Sequence, residues 1–205
     1  MIQKQLFWGP LVLIYKLPKD IFNKIKSIKP NENYTQGKTG KFSGVEKINN
    51  RHGYSNDNML LIKKLLDGYI KGYISTAIPY PIEYKFESLW VNEYSVAENI
   101  TPHVHTSCDI SFILYMQSNQ DIIDEDENVN AGYTVFQYGQ PVDGRAIVPY
   151  ISSNKHRPVD GELVIFPNNL SHYSIPFNLP NVKRFTMSGN VELIPNPQSE
   201  MGYSN

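Results

Sequence analysis

The chain has one cysteine, Cys108, among its 205 residues. That excludes an internal disulfide framework and permits a reducing compartment. It lacks an excess of charge of either sign: 19 Lys and Arg stand against 20 Asp and Glu, for a formal net charge of −1. A near-neutral chain offers no electrostatic basis for general binding to DNA or RNA. No apolar run is long enough to span a bilayer, so no membrane association is expected. The stretch Leu6 to Tyr15 follows Lys4 and has the length of a signal core. However, Gly9-Pro10 interrupts it and no small-residue cleavage pattern follows, so it reads as a strand of the mature protein. There is no internal repeat. These absences lead to the expectation of a cytoplasmic protein, in a cell or a host cell, with one domain over residues 1–205 that is large enough to bury a core. The many Asn, Ile and Lys residues fit an AT-rich genome, bacterial or phage.

Helical periodicity occurs twice. Pro18 and Asp20 open a short segment running to about Ile28, with Ile21, Phe22, Ile25 and Ile28 at helical spacing. A longer segment starts near Asp57 and carries Leu60, Leu61, Leu65, Leu66, Tyr69, Ile70, Tyr73 and Ile74 as one apolar stripe, closed by Pro79 and Pro81. Residues 30–56 read as a surface loop with a short strand near Phe42. From Tyr84 onward the pattern becomes short β-branched and aromatic runs, at 84–95, 100–105, 110–117, 132–138, 145–150, 161–166, 171–176 and 183–194. Asp143-Gly144 and Asp160-Gly161 have hairpin chemistry. The expectation is a mainly β fold, an antiparallel sandwich or barrel with flanking helices. Its N-terminal strand, helices and loop would occupy 1–83, its core 84–194, and a tail 195–205. The acidic stretch Asp121 to Glu127 reads as a solvated loop; a lip attracting a basic substrate is the sharper alternative, and it lacks the Gly-containing pattern of a calcium loop.

Of five histidines, His103 and His105 lie two residues apart. On an extended strand such residues share a face roughly 6.6 Å apart, so both can reach one metal ion. His172 follows the apolar run Leu163 to Phe166, where a chain leaving a core strand turns back. Neutral imidazole is the commonest protein ligand for first-row metals. Ordinary core or surface histidines are the bland alternative. His52 and His156 sit among Gly and Pro and read as exposed. Cys108 points away from the histidine pair on strand parity and reads as a small buried hydrophobe. In Arg184 to Asn190 polar and apolar residues alternate, which places Arg184, Thr186 and Ser188 inside if the apolar face packs on the helices. An inward arginine needs a partner, and a bound carboxylate suits its fork. The opposite register puts Arg184 in solvent and Phe185 in the core. Trp90, Asn92 and Tyr94 alternate on the preceding strand, either lining a substrate entrance or forming a core tryptophan with edge polar groups.

The segments Leu89-Trp90-Val91-Asn92, His103-Val104-His105, Ser111 to Tyr115, Gly161 to Pro167 with His172, and Arg184-Phe185-Thr186-Met187-Ser188 resemble, over about residues 84 to 192, the iron(II)- and 2-oxoglutarate-dependent oxygenase superfamily. The likeness is to a subfamily of bacteria and their viruses. The resemblance implies a double-stranded β-helix (jelly-roll) core. It also implies iron(II) held by His103 and His172, and Arg184 clamping 2-oxoglutarate, helped by Thr186 and by Ser111 or Tyr115. The implied activity is a dioxygenase (an oxidoreductase) that uses molecular oxygen and 2-oxoglutarate to hydroxylate an unidentified substrate. Most of the superfamily has a carboxylate where this chain has His105. Asp109 is the nearest carboxylate, but six residues of strand is roughly 20 Å, so His105 is favoured over Asp109 or water as the remaining ligand. Two rivals stand beside this reading. A three-histidine cupin-type metalloenzyme without 2-oxoglutarate explains His105 better and Arg184 worse, and a non-enzymatic jelly-roll binding or structural module needs no metal.

Overall fold

A computed structural model describes residues 2–6, 9–31, 50–139 and 153–195, with only the backbone described for 2–6 and 50. The elements in chain order are β1 (Ile2–Leu6), β2 (Val12–Lys16), α1 (Lys19–Ser27), β3 (Asn50–Gly53), α2 (Asn56–Ala77), β4 (Glu83–Tyr94) and β5 (Ile110–Gln117). They continue with α3 (Gln120–Ile123), β6 (Thr134–Gln137), β7 (Ser153–His156), β8 (Glu162–Pro167), β9 (Ser171–Ser174) and β10 (Arg184–Ile194). The strands form a large sheet ordered β1-β2-β8-β5-β10-β4-β3 and a small one ordered β7-β6-β9. Every strand pair is antiparallel. The fold is mainly β, a jelly roll with helices on one side.

The period-2 alternation of the strands divides the interior in two. On the large sheet, Leu13, Phe112, Leu114, Leu163, Ile165, Met187 and Val191 face the helices and form one core with Ile25, Ile62, Leu66, Ile70 and Tyr73. The intervening residues Ile14, Ile113, Tyr115, Val164 and Phe166 face the small sheet and pack with Phe136 and Leu170. Helix α2 is capped by Ser55, whose hydroxyl accepts from the Asn58 N–H. Its buried row is Ile62, Leu66, Ile70, Tyr73 and Ile74, one helical stripe at i, i+4, i+8, i+11 and i+12. Leu60 and Leu61 lie off that stripe and are half exposed, at 52% and 49%, so the expected apolar face is narrower than the leucine content suggested.

Several local expectations are corrected. The N-terminal apolar run is the second half of a hairpin: β1 pairs with β2, and Gly9-Pro10 lies in the connection. Residues 100–105 do not form a strand. Pro102 has no N–H to donate, and the segment meets β9 at separate points, Ile100 with Ser174 and His103 with His172. Asp160-Gly161 is not a hairpin turn, because β7 and β8 belong to different sheets. Gly161, at φ +77°, instead ties Leu17 to Tyr115 through its backbone groups. Strands β3 and β7 fall where no strand was expected. The acidic stretch is partly the short helix α3, which buries Ile123 completely and pairs Asp121 and Asp124 with Arg157. The strand expected near Phe42, the run 145–150 and Asp143-Gly144 lie outside the described residues.

Candidate metal centre

His103, His105 and His172 converge between the two sheets. Each offers one ring nitrogen, and these atoms lie within 4.8 Å of one another, the only such group of metal-capable side chains among the described residues. Ring centroids are 4.3 Å apart for His103 and His172 and 5.2 Å for each of the other two pairs. The backbone sets this geometry. His103 and His172 exchange N–H···O bonds of 3.1 and 3.0 Å across an antiparallel bridge. Two residues on, the His105 N–H donates to the Asn168 carbonyl at 2.9 Å, and the Asn168 side-chain amide donates back to the His105 carbonyl at 3.0 Å. The turn after β8 is thereby clamped to the His-x-His segment, and i and i+2 face the same point.

The rings are prepared as ligands. His103 Nδ1 lies 2.9 Å from the Thr101 carbonyl and His172 Nδ1 lies 3.0 Å from the Leu170 carbonyl. A carbonyl only accepts, so each Nδ1 carries the proton and each Nε2 presents a lone pair, the arrangement that second-shell carbonyls impose on metal-bound histidine. Burial, then the neighbouring His103 and Arg51, push the His105 imidazole down to about 3. Burial, then His103 and His105, hold His172 well below the ordinary range, against a small opposing effect of its bond to Leu170. Both are neutral near pH 7, the form a metal requires. Asp109 is not part of the cluster; it is exposed, and its carboxylate accepts from the Leu193 N–H at 2.8 Å. Cys108 is buried beside Ser111, with Sγ 3.5 Å from the Ser111 hydroxyl.

Arg184 is 2% exposed and faces inward. Its guanidinium lies 5.0 Å from the Tyr94 ring centroid and 5.6 Å from that of Tyr115. Nη1 donates to the Gly132 carbonyl, and Nη2 to the Thr134 hydroxyl at 3.4 Å, which also accepts from Tyr115 at 2.7 Å. Gly132 has φ +73°, and a Cβ there would stand 2.8 Å from the Gln120 side-chain oxygen, so glycine is needed to present that carbonyl. Arg184 Nε and the Thr186 hydroxyl are buried and have no hydrogen-bond partner among the described residues. No carboxylate pairs with this guanidinium among the described ion pairs. A buried, uncompensated charge with idle donors is costly unless something anionic occupies the space.

The family described as "Putative 2OG-Fe(II) oxygenase" matches residues 88–190, which spans the histidines and the arginine. The chain belongs to the 2OG-Fe(II) oxygenases. Structural comparison gives the same fold. HygX from Streptomyces hygroscopicus, solved with nickel and 2-oxoglutarate bound, superposes with a TM-score of 0.53 at 9% identity over 88% of this chain and 81% of that one. The viral collagen prolyl hydroxylase of Paramecium bursaria Chlorella virus-1 gives 0.52 at 10%, covering 88% and 94%. The Trichoplax adhaerens prolyl hydroxylase, solved with a hypoxia-inducible-factor peptide fragment, gives 0.52 at 12%, covering 94% and 87%. No curated protein sequence matches the oxygenase. Among its described residues no helix is long and apolar enough to cross a membrane.

The structure distributes the other residues singled out in the oxygenase sequence as follows. Tyr115 and Thr186 adjoin Arg184. Ser111 lies farther along β5 and donates to Asn190 at 3.1 Å. Trp90 is beside His105, ring centroids 6.2 Å apart. Asn92 accepts from Arg51 and reaches Ser188. Tyr94 is 4% exposed and packs against the guanidinium, so it is not at an entrance. Two expectations about histidines are revised. His52 is half-buried on β3. His156 is not exposed but 8% accessible, because it pairs with Glu162 at 3.1 Å and stacks on Tyr115. Thr134 and Arg51 escaped sequence reading altogether. A lone hydroxyl on a four-residue strand and a cation in a polar loop carry no local signal.

Proposed function

We propose that this oxygenase is a non-haem iron(II) dioxygenase that couples oxidative decarboxylation of 2-oxoglutarate to hydroxylation of a substrate C–H bond. The observation carrying the reading is the convergence of three imidazoles, two of them held neutral by burial, together with an inward Arg184 that has no ion-pair partner among the described residues and whose Nε, like the neighbouring Thr186 hydroxyl, has no hydrogen-bond partner there. His103, His105 and His172 would hold the iron through Nε2. Bound there, iron(II) with 2-oxoglutarate supplies the oxidising chemistry: R–H, O2 and 2-oxoglutarate give R–OH, succinate and CO2. The distal carboxylate of 2-oxoglutarate meets the Arg184 fork, a charge-assisted contact in a dry site. The Thr186 hydroxyl donates to the same carboxylate. Thr134 and Tyr115 hold the guanidinium in place, and burial raises the Tyr115 phenol so that it stays a neutral donor. The apolar walls at Phe136, Phe166 and Ile113 exclude water from the reacting atoms.

Three imidazoles with no carboxylate would leave the ion a full charge more positive than two imidazoles and a carboxylate, with or without the cosubstrate. The test is aerobic conversion of 2-oxoglutarate to succinate with added iron(II). Arg184→Ala should cut turnover by at least about a hundredfold, from loss of a buried charge-assisted pair worth roughly 3 kcal/mol. Arg184→Lys, which keeps the charge without the fork, should lie between. Unchanged succinate formation in Arg184→Ala would remove 2-oxoglutarate from this site. Iron-dependent oxygen uptake indifferent to 2-oxoglutarate would favour a cupin-type three-histidine enzyme, and no metal uptake at all a binding module.

A further inference from the structure

Two titratable side chains near the Arg184 end of the interior belong to neither the metal centre nor the clamp. His156 closes β7 and is buried, and Glu162 opens β8 with a side chain 14% exposed. The imidazole Nε2 lies 3.1 Å from a Glu162 carboxylate oxygen, the one ion pair of Glu162 among the described residues. Both atoms are buried and are not aligned as a hydrogen bond, so the contact is one of charge and proximity. The pair adjoins the groups that hold Arg184. His156 stands opposite Thr134 across β6 and β7, and its ring stacks on Tyr115 with centroids 5.4 Å apart and planes 26° from parallel. Thr134 and Tyr115 also meet the guanidinium, the first 3.4 Å from Nη2 and the second with its ring centroid 5.6 Å away. Burial raises the Tyr115 phenol most, and both charges reach it, Arg184 lowering it and Glu162 raising it.

A carboxylate and a guanidinium in one dry interior attract each other strongly, and a buried carboxylate without a partner is costly. Arg184 nonetheless has no ion pair among the described residues. The other charged groups around Glu162 are committed elsewhere. Lys16, its register neighbour on β2, donates to the Asp160 carbonyl, and the Asp160 carboxylate accepts from Ser118. Arg157, next to His156 in the chain, pairs with Asp121 and Asp124. We infer that His156 is a positioning residue for 2-oxoglutarate: by engaging Glu162 it keeps that carboxylate from claiming Arg184, and so reserves the guanidinium for the distal carboxylate of the cosubstrate. Glu162 is then an internal competitor held in check, with the Tyr115 ring against both the imidazole and the guanidinium. The arrangement keeps the fork unpaired and oriented before the cosubstrate arrives, which lowers the cost of binding. The inference rests on the 2-oxoglutarate reading given above and adds the residue that keeps its binding group free.

The test uses full-length protein loaded with zinc, which is redox-inert, and N-oxalylglycine in place of 2-oxoglutarate, both titrated by calorimetry. His156→Phe keeps a ring against Tyr115 and releases Glu162. It should weaken N-oxalylglycine binding about tenfold, ~1.4 kcal/mol, with zinc uptake unchanged. Glu162→Gln removes the competing charge and should bind N-oxalylglycine as the wild type does. Combining the two substitutions should restore affinity to within about twofold of the wild type, because no carboxylate remains to take the guanidinium. That rescue separates positioning by charge from support of the fold, under which the second substitution adds to the damage of the first. His156→Gln offers Glu162 a donor without the stacked ring and should also bind within about twofold of the wild type; it covers the case in which His156→Phe does not fold. Unchanged affinity in His156→Phe, or a double variant as weak as that single one, overturns the inference and leaves the 2-oxoglutarate reading intact. Wild-type protein that takes up zinc but no N-oxalylglycine overturns both.

Discussion

Thr186 lies in the interior at 1% exposure with a hydroxyl that bonds nothing among the described residues, on the same face as the Arg184 guanidinium. Without a ligand, an orphaned hydroxyl destabilises the fold; with a carboxylate beside it, the same group donates a charge-assisted bond. Thr186→Val is nearly isosteric and separates the two effects. The variant should melt at or slightly above the wild-type temperature without ligand, while its affinity for 2-oxoglutarate falls about tenfold, ~1.4 kcal/mol. Calorimetry and a thermal melt read both. Raised stability with unchanged affinity would place the cosubstrate elsewhere. At this scale the sequence was readable where chemistry is rare: His-x-His, and a strand whose alternate residues are Arg, Thr and Ser. It was unreadable where a residue takes its role from a distant partner. His156 sits in a Gly- and Pro-rich neighbourhood, yet Glu162 and Tyr115 bury it. Tyr94 looks like a rim aromatic until Arg184, ninety residues away in sequence, is laid against it.

Strand β10 carries the site on one face and the core on the other, and Gly189 shows how tightly the second face is packed. A Cβ at that position would stand 2.4 Å from the Phe112 ring and 2.9 Å from Leu89. Phe112 is 1% exposed and held edge-on by Phe86, with ring centroids 5.7 Å apart, so the ring has little room to yield. Gly189→Ala should therefore cost about 1–3 kcal/mol by overpacking, a fall in melting temperature of ~2–4 °C per kcal/mol for a domain of this size. An unchanged melting temperature would mean that the Phe112 ring swings aside. The long strands were legible because β5 and β8 are apolar runs buried on both faces, whereas β10 alternates Arg184, Thr186 and Ser188 with Phe185 and Met187. The segment 100–105 has strand composition, but Pro102 removes a donor and the backbone meets β9 only at intervals. Strand β7, Ser153–His156, has no apolar alternation to announce it and exists because β6 offers it an edge.

For the molecule as a whole, both halves of the candidate site bridge the two sheets. His172 belongs to the small sheet, whereas His105 packs on Trp90 of the large one. Arg184 starts a strand of the large sheet, yet it bonds Gly132 and Thr134 at the head of the small one. Ligands held at these points cross-link the sheets and stabilise the folded state by mass action, about 2.7 kcal/mol at a hundredfold excess over Kd. Manganese(II), in place of oxidisable iron, should raise the melting temperature of the wild type, and N-oxalylglycine added with it should raise it further. Arg184→Ala should keep the first increment and lose the second. His172→Ala should lose both, because a chelating keto acid needs the metal and the metal needs the imidazole bridging to the small sheet. An N-oxalylglycine increment that persists in His172→Ala would show the cosubstrate held without the ion, and the two halves would then be separate sites rather than one.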